Sequence, residues 1–267
     1  MSIPRVTVIT PCFNSAATLP ALLDSVDAQT ADAERGLFEL EHIVMDGGST
    51  DGTLALLASR SRPWRTVVSE PDRGPADAIN KGFARAGGDY IAWLNADDAY
   101  APGALARSVA ALQRRPRASF SFGRCPIIDA DCAEIRRPIT RFKELFFPFP
   151  YRWVLQTLNF VSQPATLFRR SALEKAGPLR TDLHAAWDYD LLLRLRRQGP
   201  CVRVPGRAPV AYFRWTPGSI SGSGFRRQFD EELALALADA GRYSFPGILH
   251  RAVRWGIVTI YSRMVAK

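Results

Sequence analysis

Two adjacent carboxylates, Asp97 and Asp98, follow an apolar run that ends in Trp93 and Leu94. Because neighbouring carboxylates repel each other, a bound divalent cation is a common way to neutralise such a pair. Mg²⁺ or Mn²⁺ takes one or two protein carboxylates and fills its other positions with water and phosphate oxygens. A turn or a helix cap is the commoner explanation of an isolated Asp-Asp pair, so neighbouring motifs have to support the metal interpretation.

Asp46 ends a second apolar run and is followed by Gly47 and Gly48. A carboxylate at this position can accept a hydrogen bond from a base N–H, and the glycines let a ligand approach the backbone. An Asx turn, with a helix cap by Ser49 or Asp51, explains the same residues without a ligand. For the segment that begins at Ser49 we prefer the turn and cap.

Two further charged residues have a structural explanation beside the chemical one. Arg73, between Asp72 and Gly74, can contact a pyrophosphate or a nucleobase, or it can be a solvated charge on a loop. Asp188 precedes a series of leucines at helical spacing, and taken alone we interpret it as an ordinary N-cap. Neither residue identifies a site without further context.

An alternation of strands and helices predicts how these side chains are positioned. Strands are predicted over 5–10, 40–45, 66–69 and 90–94, with helices between them that include a first helix capped by Asn14 or Ser15, then 53–59 and 76–86. This order predicts an α/β fold with a mostly parallel sheet and helices on both faces. Ligands of such sheets bind beyond the carboxyl ends of the strands. Polar clusters at 11–14, 46–51, 70–74 and 95–98 fall at those ends and predict one site built from four loops.

Beyond residue 100 the pattern is looser. Helices are predicted over 102–115, 188–198, 225–240 and 247–265, with a short helix capped by Ser171 and strands over 118–123, 163–169, 201–204 and 210–213. The segment 142–153 is predicted to be an aromatic and basic loop that receives a sugar ring, a lipid-linked acceptor or a membrane surface, or else forms a satellite core. The last helix has an apolar face that either binds a membrane interface or packs on the domain: Ile248, Leu249, Ala252, Val253, Ile257, Ile260 and Met264.

The charge is unevenly distributed along the 267 residues. Residues 1–98 hold 8 basic and 14 acidic side chains, whereas residues 99–267 hold 27 and 12, and the net charge is +9. A basic half can attract nucleic acid, anionic lipid or a phosphorylated substrate. Since 31 of the 35 basic residues are arginine, a genome's base composition is an alternative cause. With no helix-turn-helix, zinc or RNP-type signature, we expect no nucleic-acid partner.

Composition excludes several classes of protein. A 47% hydrophobic content with 19 Gly and 19 Pro indicates a folded chain rather than a disordered or collagen-like one. The four cysteines show no CxxC spacing, so neither a zinc site nor a disulfide scaffold is expected. The first residues lack a signal-peptide pattern, and no run of about 18 apolar residues occurs. We therefore expect a cytoplasmic protein, with peripheral binding to the inner membrane as an option.

Four motifs occur in an order that resembles a known family. VTVITPCFN, IVMDGGSTDGT, SEPDRGPADAINKGFARAGGDYIAWLNADD and WDYDLLLRL have the order and spacing found in family 2 glycosyltransferases with the GT-A fold, over roughly residues 4–220. The resemblance implies a GT-A catalytic domain at 1–220, in which 1–98 binds the nucleotide sugar and 99–220 binds the acceptor. A helical C-terminal extension would follow at 221–267.

The resemblance also implies a reaction. A hexosyltransferase-type enzyme would move a sugar from a nucleotide-diphosphate sugar, with a UDP-sugar favoured, to a hydroxyl of a glycan or lipid-linked acceptor, with inversion and with Mn²⁺ or Mg²⁺ as the cofactor. Bacterial surface polysaccharide or glycolipid synthesis is the expected setting. Asp188 would be the catalytic base and Asp98 the metal ligand. The nucleotide would be contacted by Pro11, Phe13, Asn14, Asp46, Arg73 and Asp97.

Two departures from the family pattern qualify this reading. Trp187 stands where a Glu usually precedes the base, and Thr216 stands where relatives often carry a His that completes the metal shell. A catalytically inactive nucleotide-sugar-binding protein of the same fold is therefore the alternative. A sugar nucleotidyltransferase is less suited, because no Gly-rich phosphate loop follows the first strand. Candidates for the acceptor pocket are Trp187, His184 and Trp153, although a surface position explains His184 equally well.

Overall fold

The computed structural model of the chain describes residues 3–216 and 224–265, and for 260–265 it describes the backbone alone. Seven strands form the central sheet in the order β10-β6-β9-β4-β1-β2-β3. Of these, β9 is antiparallel to both of its neighbours and the other six run the same way, so the prediction of a mostly parallel sheet is confirmed. The strands are β1 (Arg5–Cys12), β2 (Glu39–Asp46), β3 (Arg65–Ser69), β4 (Tyr90–Trp93), β6 (Phe120–Phe122), β9 (Thr166–Arg169) and β10 (Cys201–Arg203).

Helices cover both faces of this sheet. Successive residues of a strand point to opposite faces, so Val8 packs in one apolar cluster while Ile9 packs in the other. The helices of the first half are α1 (Leu19–Asp27), α2 (Thr30–Glu34), α3 (Thr53–Ser59), α4 (Pro75–Arg85) and α5 (Ala104–Gln113). Those of the second half are α6 (Arg137–Glu144), α7 (Arg152–Thr157), α8 (Arg170–Ala176), α9 (Trp187–Gln198), α10 (Phe225–Ala240) and α11 (Phe245–Val265).

A small second sheet lies beside the Asp97–Asp98 loop. Its strands are ordered β5 (Ala99–Tyr100), β11 (Ala211–Arg214), β7 (Ile127–Ile128) and β8 (Glu134–Ile135). Three of them were missed from sequence, because two residues are too few to show an alternating pattern. Pairing of β5 with β11 brings Arg214 against Asp98, so this sheet fixes one side of the candidate metal site.

Several local predictions were wrong for identifiable reasons. Strand β1 does not stop at Pro11 but continues to Cys12. The carbonyl of Ile9 accepts a hydrogen bond from Leu94, so the backbone groups of Ile9 face the β4 side of β1. Those of Pro11, two residues later, face the same side, but β4 ends at Trp93. The N–H that proline lacks would therefore have no strand partner, and no hydrogen bond of the sheet is lost. Helix α1 is capped at Thr18 rather than at Asn14 or Ser15. Likewise α8 has its N-cap at Arg169, and Ser171 lies inside the helix.

The segment 142–153 is not a single loop, since α6 ends within it and α7 begins within it. Phe147 is buried against Phe122 and Phe160, as the satellite-core alternative predicts. Other aromatic side chains of the segment are exposed, which leaves the surface alternative open: Phe142, Phe149, Tyr151 and Trp153. The segment therefore has an inner and an outer part.

The C-terminal helices pack on the second half of the domain. In α11, Val253 and Ile257 pack against the core, while Ile248 and Trp255 are exposed. The predicted apolar face is thus divided between the core and solvent, and the Ile260 and Met264 side chains lie outside the described residues. Within the described ranges, no helix combines the length and the apolar character that crossing a bilayer requires.

Candidate active site

The carboxyl ends of β1 and β2 meet at one edge of the sheet, where Cys12 pairs with Asp46. Asp46 is buried, and its Oδ2 accepts from the Ser69 hydroxyl at 2.6 Å and from the Gly48 and Ser49 amides at 3.1 Å. Its Oδ1 accepts from the Ser49 hydroxyl at 2.5 Å. Burial raises the pKa of Asp46, but hydrogen bonds from Ser49 and Ser69 outweigh burial and lower the pKa overall. Asp46 is therefore held ionised by its own turn, as the Asx-turn interpretation predicts.

Other acidic groups surround the same point. Burial raises the pKa of the Cys12 thiol to about 12, helped by the charges of Asp46, Asp51 and Asp72. The Asp72 carboxylate occupies the space where a side chain on Gly47 would lie, because a Cβ there would come within 2.5 Å of Oδ2. Gly47 is thus needed for the close approach of two loops, and the edge of the sheet carries a concentrated negative charge.

The loop after β1 is fixed by the loop after β2. Asn14 adopts a left-handed conformation with φ of 48°, its amide donates to the Ser49 hydroxyl at 2.8 Å, and its side-chain oxygen accepts from the Thr50 amide at 2.9 Å. Asn14 is therefore a loop connector rather than the helix cap that we predicted. Phe13, the neighbouring candidate for nucleotide contact, is 61% exposed, so a flat aromatic face is available to a ligand.

Arg73 lies on the exposed loop before α4. Its backbone amide donates to Asp77 at 3.1 Å and its guanidinium donates to the same carboxylate at 3.3 Å, with the arginine side chain 80% exposed. This is the solvated loop charge that the sequence allowed. A side chain this exposed can also turn toward a ligand at little cost, since surface ion pairs contribute only about 0 to 1 kcal/mol.

Asp97 and Asp98 follow β4, as expected. Asp98 is buried and accepts from the Arg214 amide at 3.0 Å and from the Asn95 side chain at 3.3 Å. The Arg214 guanidinium donates instead to main-chain oxygens of Asp97 and Asp129. Burial, and then the Asp97 charge, raise the pKa of Asp98 well above its ordinary value, and burial also raises the pKa of Asp97. A buried carboxylate whose pKa is raised by an adjacent carboxylate is a suitable ligand for a cation, which would offset both charges.

The donor set agrees with a hard divalent ion. In the part of the chain that the structure describes, no group of three or more His, Cys, Asp or Glu side chains is arranged to hold a metal. Mg²⁺ and Mn²⁺ do not need such a cage, since they bind through one or two carboxylates and complete their shells with water and phosphate oxygens. Asp97 and Asp98 would supply the one or two carboxylates that such an ion binds.

Asp188 occupies the first turn of α9, and Ala186 rather than Asp188 is the N-cap. Its Oδ1 accepts from the Tyr189 amide at 2.7 Å. Burial raises the pKa of Asp188 to about 6, with the Tyr189 amide and the Lys143 charge opposing the rise. A half-buried carboxylate with this pKa is ionised at neutral pH and can take up a proton, which is what a general base requires.

Trp187 connects the base to the carboxylate pair. It is buried, and its ring packs on Trp93 of β4 with a centroid distance of 5.8 Å. Trp93 is only four residues before Asp97, so this aromatic contact fixes the start of α9 next to the strand that presents the candidate metal ligands. Trp187 therefore has a structural reason to replace an acid at this position.

The remaining acceptor candidates lie at the surface. His184 is exposed and donates its backbone amide to Glu231 at 2.9 Å. Trp153 is 48% exposed and packs on Phe245 of α11. Two charged residues were not predicted from sequence: Lys143, whose charge acts on Asp188, and Glu232, whose pKa responds to the Asp188 charge. No sequence signal could have found them, because they reach Asp188 only through the tertiary fold.

Comparison with known proteins agrees with this architecture. The family model for glycosyl transferase family 2 matches residues 7–177, so the chain belongs to that family. The chain is 35% identical over 196 residues to an uncharacterized glycosyltransferase of Mycobacterium tuberculosis strain H37Rv, covering 72% of this chain and 69% of that protein. It is 32% identical over 197 residues to a PGL/p-HBAD biosynthesis glycosyltransferase of Mycobacterium bovis BCG, covering 72% and 70%.

Solved structures show the same fold at lower identity. The mannosyltransferase PcManGT from Pyrobaculum calidifontis, solved with GDP-Man and Mn²⁺, superposes with a TM-score of 0.69 at 23% identity, covering 96% of this chain and 70% of that one. S. aureus TarS 1–349, solved with UDP-GlcNAc, gives a TM-score of 0.67 at 17% identity, covering 90% and 67%. The fold is therefore GT-A, with a helical C-terminal region.

Proposed function

We propose that this glycosyltransferase moves a sugar from a nucleotide-diphosphate sugar, a UDP-sugar being favoured, to an acceptor hydroxyl with inversion at the anomeric carbon. The observation that carries the proposal is Asp188, whose raised pKa and position beside the β4 loop suit a general base. Relatives and structural neighbours support the donor class, since two of the neighbours were solved with UDP-GlcNAc and with GDP-Man.

The proposed reaction is a single displacement. Asp188 takes the proton of the acceptor hydroxyl as its oxygen forms a bond to the anomeric carbon, while the bond from that carbon to the diphosphate oxygen breaks. Attack opposite to the departing group inverts the configuration, and no covalent enzyme intermediate forms. Asp188 is half-buried, so a bound acceptor would complete the exclusion of water from its carboxylate, and orientation of the two reactants supplies much of the rate enhancement.

Donor binding is assigned to the edge of the sheet. The nucleobase would stack on Phe13 and lie against Pro11, with its imide N–H replacing the Ser49 hydroxyl on Asp46. Asn14 would keep the two loops in register, and Arg73 would turn from Asp77 toward the nucleotide. Asp98 would hold Mn²⁺ or Mg²⁺ with Asp97 beside it, and such an ion offsets the charge that develops on a departing diphosphate.

Calorimetric titration with UDP, GDP and dTDP, each with Mn²⁺ and with EDTA, tests the donor site. We expect one nucleotide to bind in a metal-dependent way, and Asp98→Ala to abolish that binding. Asp188→Asn should retain nucleotide affinity and lose turnover of the matching sugar nucleotide. If Asp188→Asn and the unmodified protein both bind but neither turns over, the inactive alternative is correct. If none of the three nucleotides binds with metal present, the donor site is wrongly assigned.

We further propose a lipid-linked acceptor, reached by peripheral binding of the cytoplasmic protein to an anionic inner membrane. The name of the M. bovis relative associates it with PGL/p-HBAD synthesis. In this chain, Tyr243, Phe245 and Trp255 are 81%, 69% and 72% exposed around α11, and Arg242 lies over the Tyr243 ring at 6.0 Å. Exposed aromatic rings beside arginines are typical of surfaces that insert at a lipid headgroup boundary.

Sedimentation with vesicles tests the membrane proposal. The protein should co-sediment with vesicles of phosphatidylglycerol and phosphatidylcholine, and less of it should co-sediment with pure phosphatidylcholine vesicles. Trp255→Ser should weaken binding several-fold, whereas Phe13→Ser, which removes a 61% exposed ring from the loop after β1, should not. Equal co-sedimentation of Trp255→Ser and the unmodified protein with the anionic vesicles would contradict the proposal that this surface binds the membrane.

A further inference from the structure

Helix α10 places two successive acids at the start of the helix that carries Asp188. The Glu231 carboxylate accepts from the backbone amides of His184 and Ala185 at 2.9 Å and from that of Ala186 at 3.1 Å. It therefore satisfies the free amides before the first turn of α9 from a different element of the chain. The adjacent acid, Glu232, points into the protein instead and is 6% exposed.

Glu232 is buried among polar side chains and interacts electrostatically with Asp188. Its Oε1 accepts from the Asn159 side-chain amide at 3.3 Å and from the Gln228 side-chain amide at 3.2 Å. The Asp188 charge reaches this carboxyl from α9, and the Lys143 ammonium reaches it from α6. The phenol of Tyr189 also lies within the field of Glu232. Three separate helices therefore contribute two carboxyl groups and one ammonium that interact through charge.

One cation against two carboxylates, of which Glu232 is buried and Asp188 half-buried, leaves this group of charges with an excess of negative charge. Burial, and then the Asp188 charge, raise the pKa of Glu232 to about 7, above the value of about 6 that burial produces at Asp188. When two such groups interact, their protons leave in two steps that belong to the pair. The Asp188 charge therefore favours the protonated form of Glu232, and the two acids titrate as a pair.

The Asn159 side chain can bond to Glu232 in either protonation state. The side-chain oxygen of Asn159 is buried without a hydrogen-bond partner among the described residues, although its nitrogen donates to Glu232. Amide oxygen and nitrogen are interchangeable by rotation of the group. Turning the amide over lets its oxygen accept from a protonated Glu232, so this contact is kept whether or not the acid carries a proton.

We propose that Glu232 is the partner carboxylate of Asp188, and that the pair retains one proton which orients Asp188 and sets how readily it accepts the proton of the incoming hydroxyl. Glu232 is a positioning residue in this scheme, since it acts through Asp188. The inference rests on the proposed role of Asp188 as base. It also assigns a function to α10, which lies outside the matched family region at 7–177.

A titration without any nucleotide tests the pair directly. Carbon-13 NMR of protein labelled at the Asp and Glu carboxyls should show that the Asp188 signal responds to pH in two steps. In Glu232→Gln, which keeps the acceptor oxygen and the side-chain volume, the Asp188 signal should respond in one step. In Asp188→Asn, the titration of Glu232 should move to lower pH. An Asp188 titration that is identical in Glu232→Gln and the unmodified protein would overturn the proposal.

Glu231→Gln is the matched control, because it makes the same substitution one residue away. It should lower the melting temperature by weakening the contact with the start of α9, while the two-step titration of Asp188 is retained. Loss of the second step in Glu231→Gln as well would mean that displacement of α10, not the Glu232 charge, controls Asp188.

Turnover provides a separate measurement. With UDP-GlcNAc and GDP-mannose as donors, the rate of nucleotide release by the unmodified protein should keep rising with pH through the second ionisation. Glu232→Gln should reach its plateau after the first ionisation, at roughly a tenth of the maximal kcat and with an unchanged KM, while Glu232→Asp should restore part of the second rise. If the unmodified protein releases neither nucleotide, the proposed function fails, while the NMR titration still decides the pairing.

Discussion

Asp46 and Asp188 are the same residue type at the two ends of the candidate site, and their surroundings change them in opposite directions. Hydrogen bonds from Ser49 and Ser69 hold the pKa of Asp46 below its ordinary value in spite of burial. Asp188 has fewer donors, and burial raises its pKa to about 6. Donors stabilise the charged form, whereas burial alone penalises it. The comparison shows that Asp46 suits a fixed acceptor and Asp188 suits a group that exchanges protons.

The regions that contain these two residues are also assembled differently. Around Asp46, the contacting hydroxyls belong to Ser49, in the loop that directly follows β2, and to Ser69, the last residue of the neighbouring strand β3. Around Asp188, the groups that interact with it through charge are Lys143 of α6 and Glu232 of α10. The acidic first half thus forms its part of the site locally, and the basic second half forms its part by tertiary packing.

The largest expected effect separates the two aspartates by function. Asp188→Asn should lower kcat by about 10²- to 10⁴-fold, the usual contribution of a general base, and leave nucleotide affinity unchanged. Asp46→Asn should instead weaken nucleotide binding and lower stability, since the amide nitrogen cannot accept the bonds that Ser49 and Ser69 donate. Steady-state kinetics and calorimetry on both variants test this. Equal losses of kcat in both variants would mean that the two sites are not distinct in role.

This difference also explains what the sequence could predict. Strand ends and their polar loops depend on neighbours in sequence, so the positions of Asp46 and Asp98 at the carboxyl edge were predicted correctly from the pattern. Asn14 was wrongly predicted to be a helix cap. Its left-handed conformation depends on contacts with Ser49 and Thr50, which are distant in sequence and give no local signal. The acids on α10 stand more than 40 residues after Asp188, and nothing in their local sequence distinguishes them from a solvated helix face.

The next largest effect is expected on stability, at the Trp187–Trp93 contact that connects the two regions. Trp187→Ala should lower the free energy of unfolding by about 3 to 5 kcal/mol, because it empties a buried site against Trp93. Trp187→Phe should cost less, since an aromatic ring remains to pack on Trp93. Urea unfolding measures both. A loss below about 1 kcal/mol for Trp187→Ala would show that this contact does not hold α9 beside β4.

A smaller, pH-dependent effect on the free energy of unfolding is expected from substitutions of the two acids of α10. The pKa of Glu232 is raised by folding, so the folded state binds its proton more tightly and loses stability as pH rises from about 4.5 to about 7. Glu232→Gln removes that penalty and should stabilise the protein at pH 8 by up to about 3 kcal/mol, with little change at pH 4.

Glu231 is the natural comparison for this measurement, because its pKa shifts the other way. Burial opposes the change, but the amides of Ala185, His184 and Ala186 outweigh it and lower the pKa of Glu231. Its contribution is present above the unfolded pKa and is lost as pH falls through the folded value. Glu231→Gln should therefore destabilise the protein at pH 8 by about 1 kcal/mol and less at pH 4. If both variants change the free energy of unfolding in the same direction at pH 8, the two glutamates do not lie in the opposite environments described here.

The smallest effect is expected at Arg73, the most exposed of the proposed donor contacts. Its pair with Asp77 contributes about 0 to 1 kcal/mol at most, so Arg73→Ala should leave the unfolding free energy within that range. If the side chain turns toward a bound diphosphate, the same variant should weaken nucleotide binding several-fold, and Arg73→Lys should recover part of the loss because the positive charge remains. Calorimetry at two salt concentrations measures this, since an exposed ionic contact weakens as ionic strength rises. Unchanged affinity in Arg73→Ala would restrict the donor site to the buried edge around Asp46 and Asp98, where the side chains are already fixed before a ligand arrives.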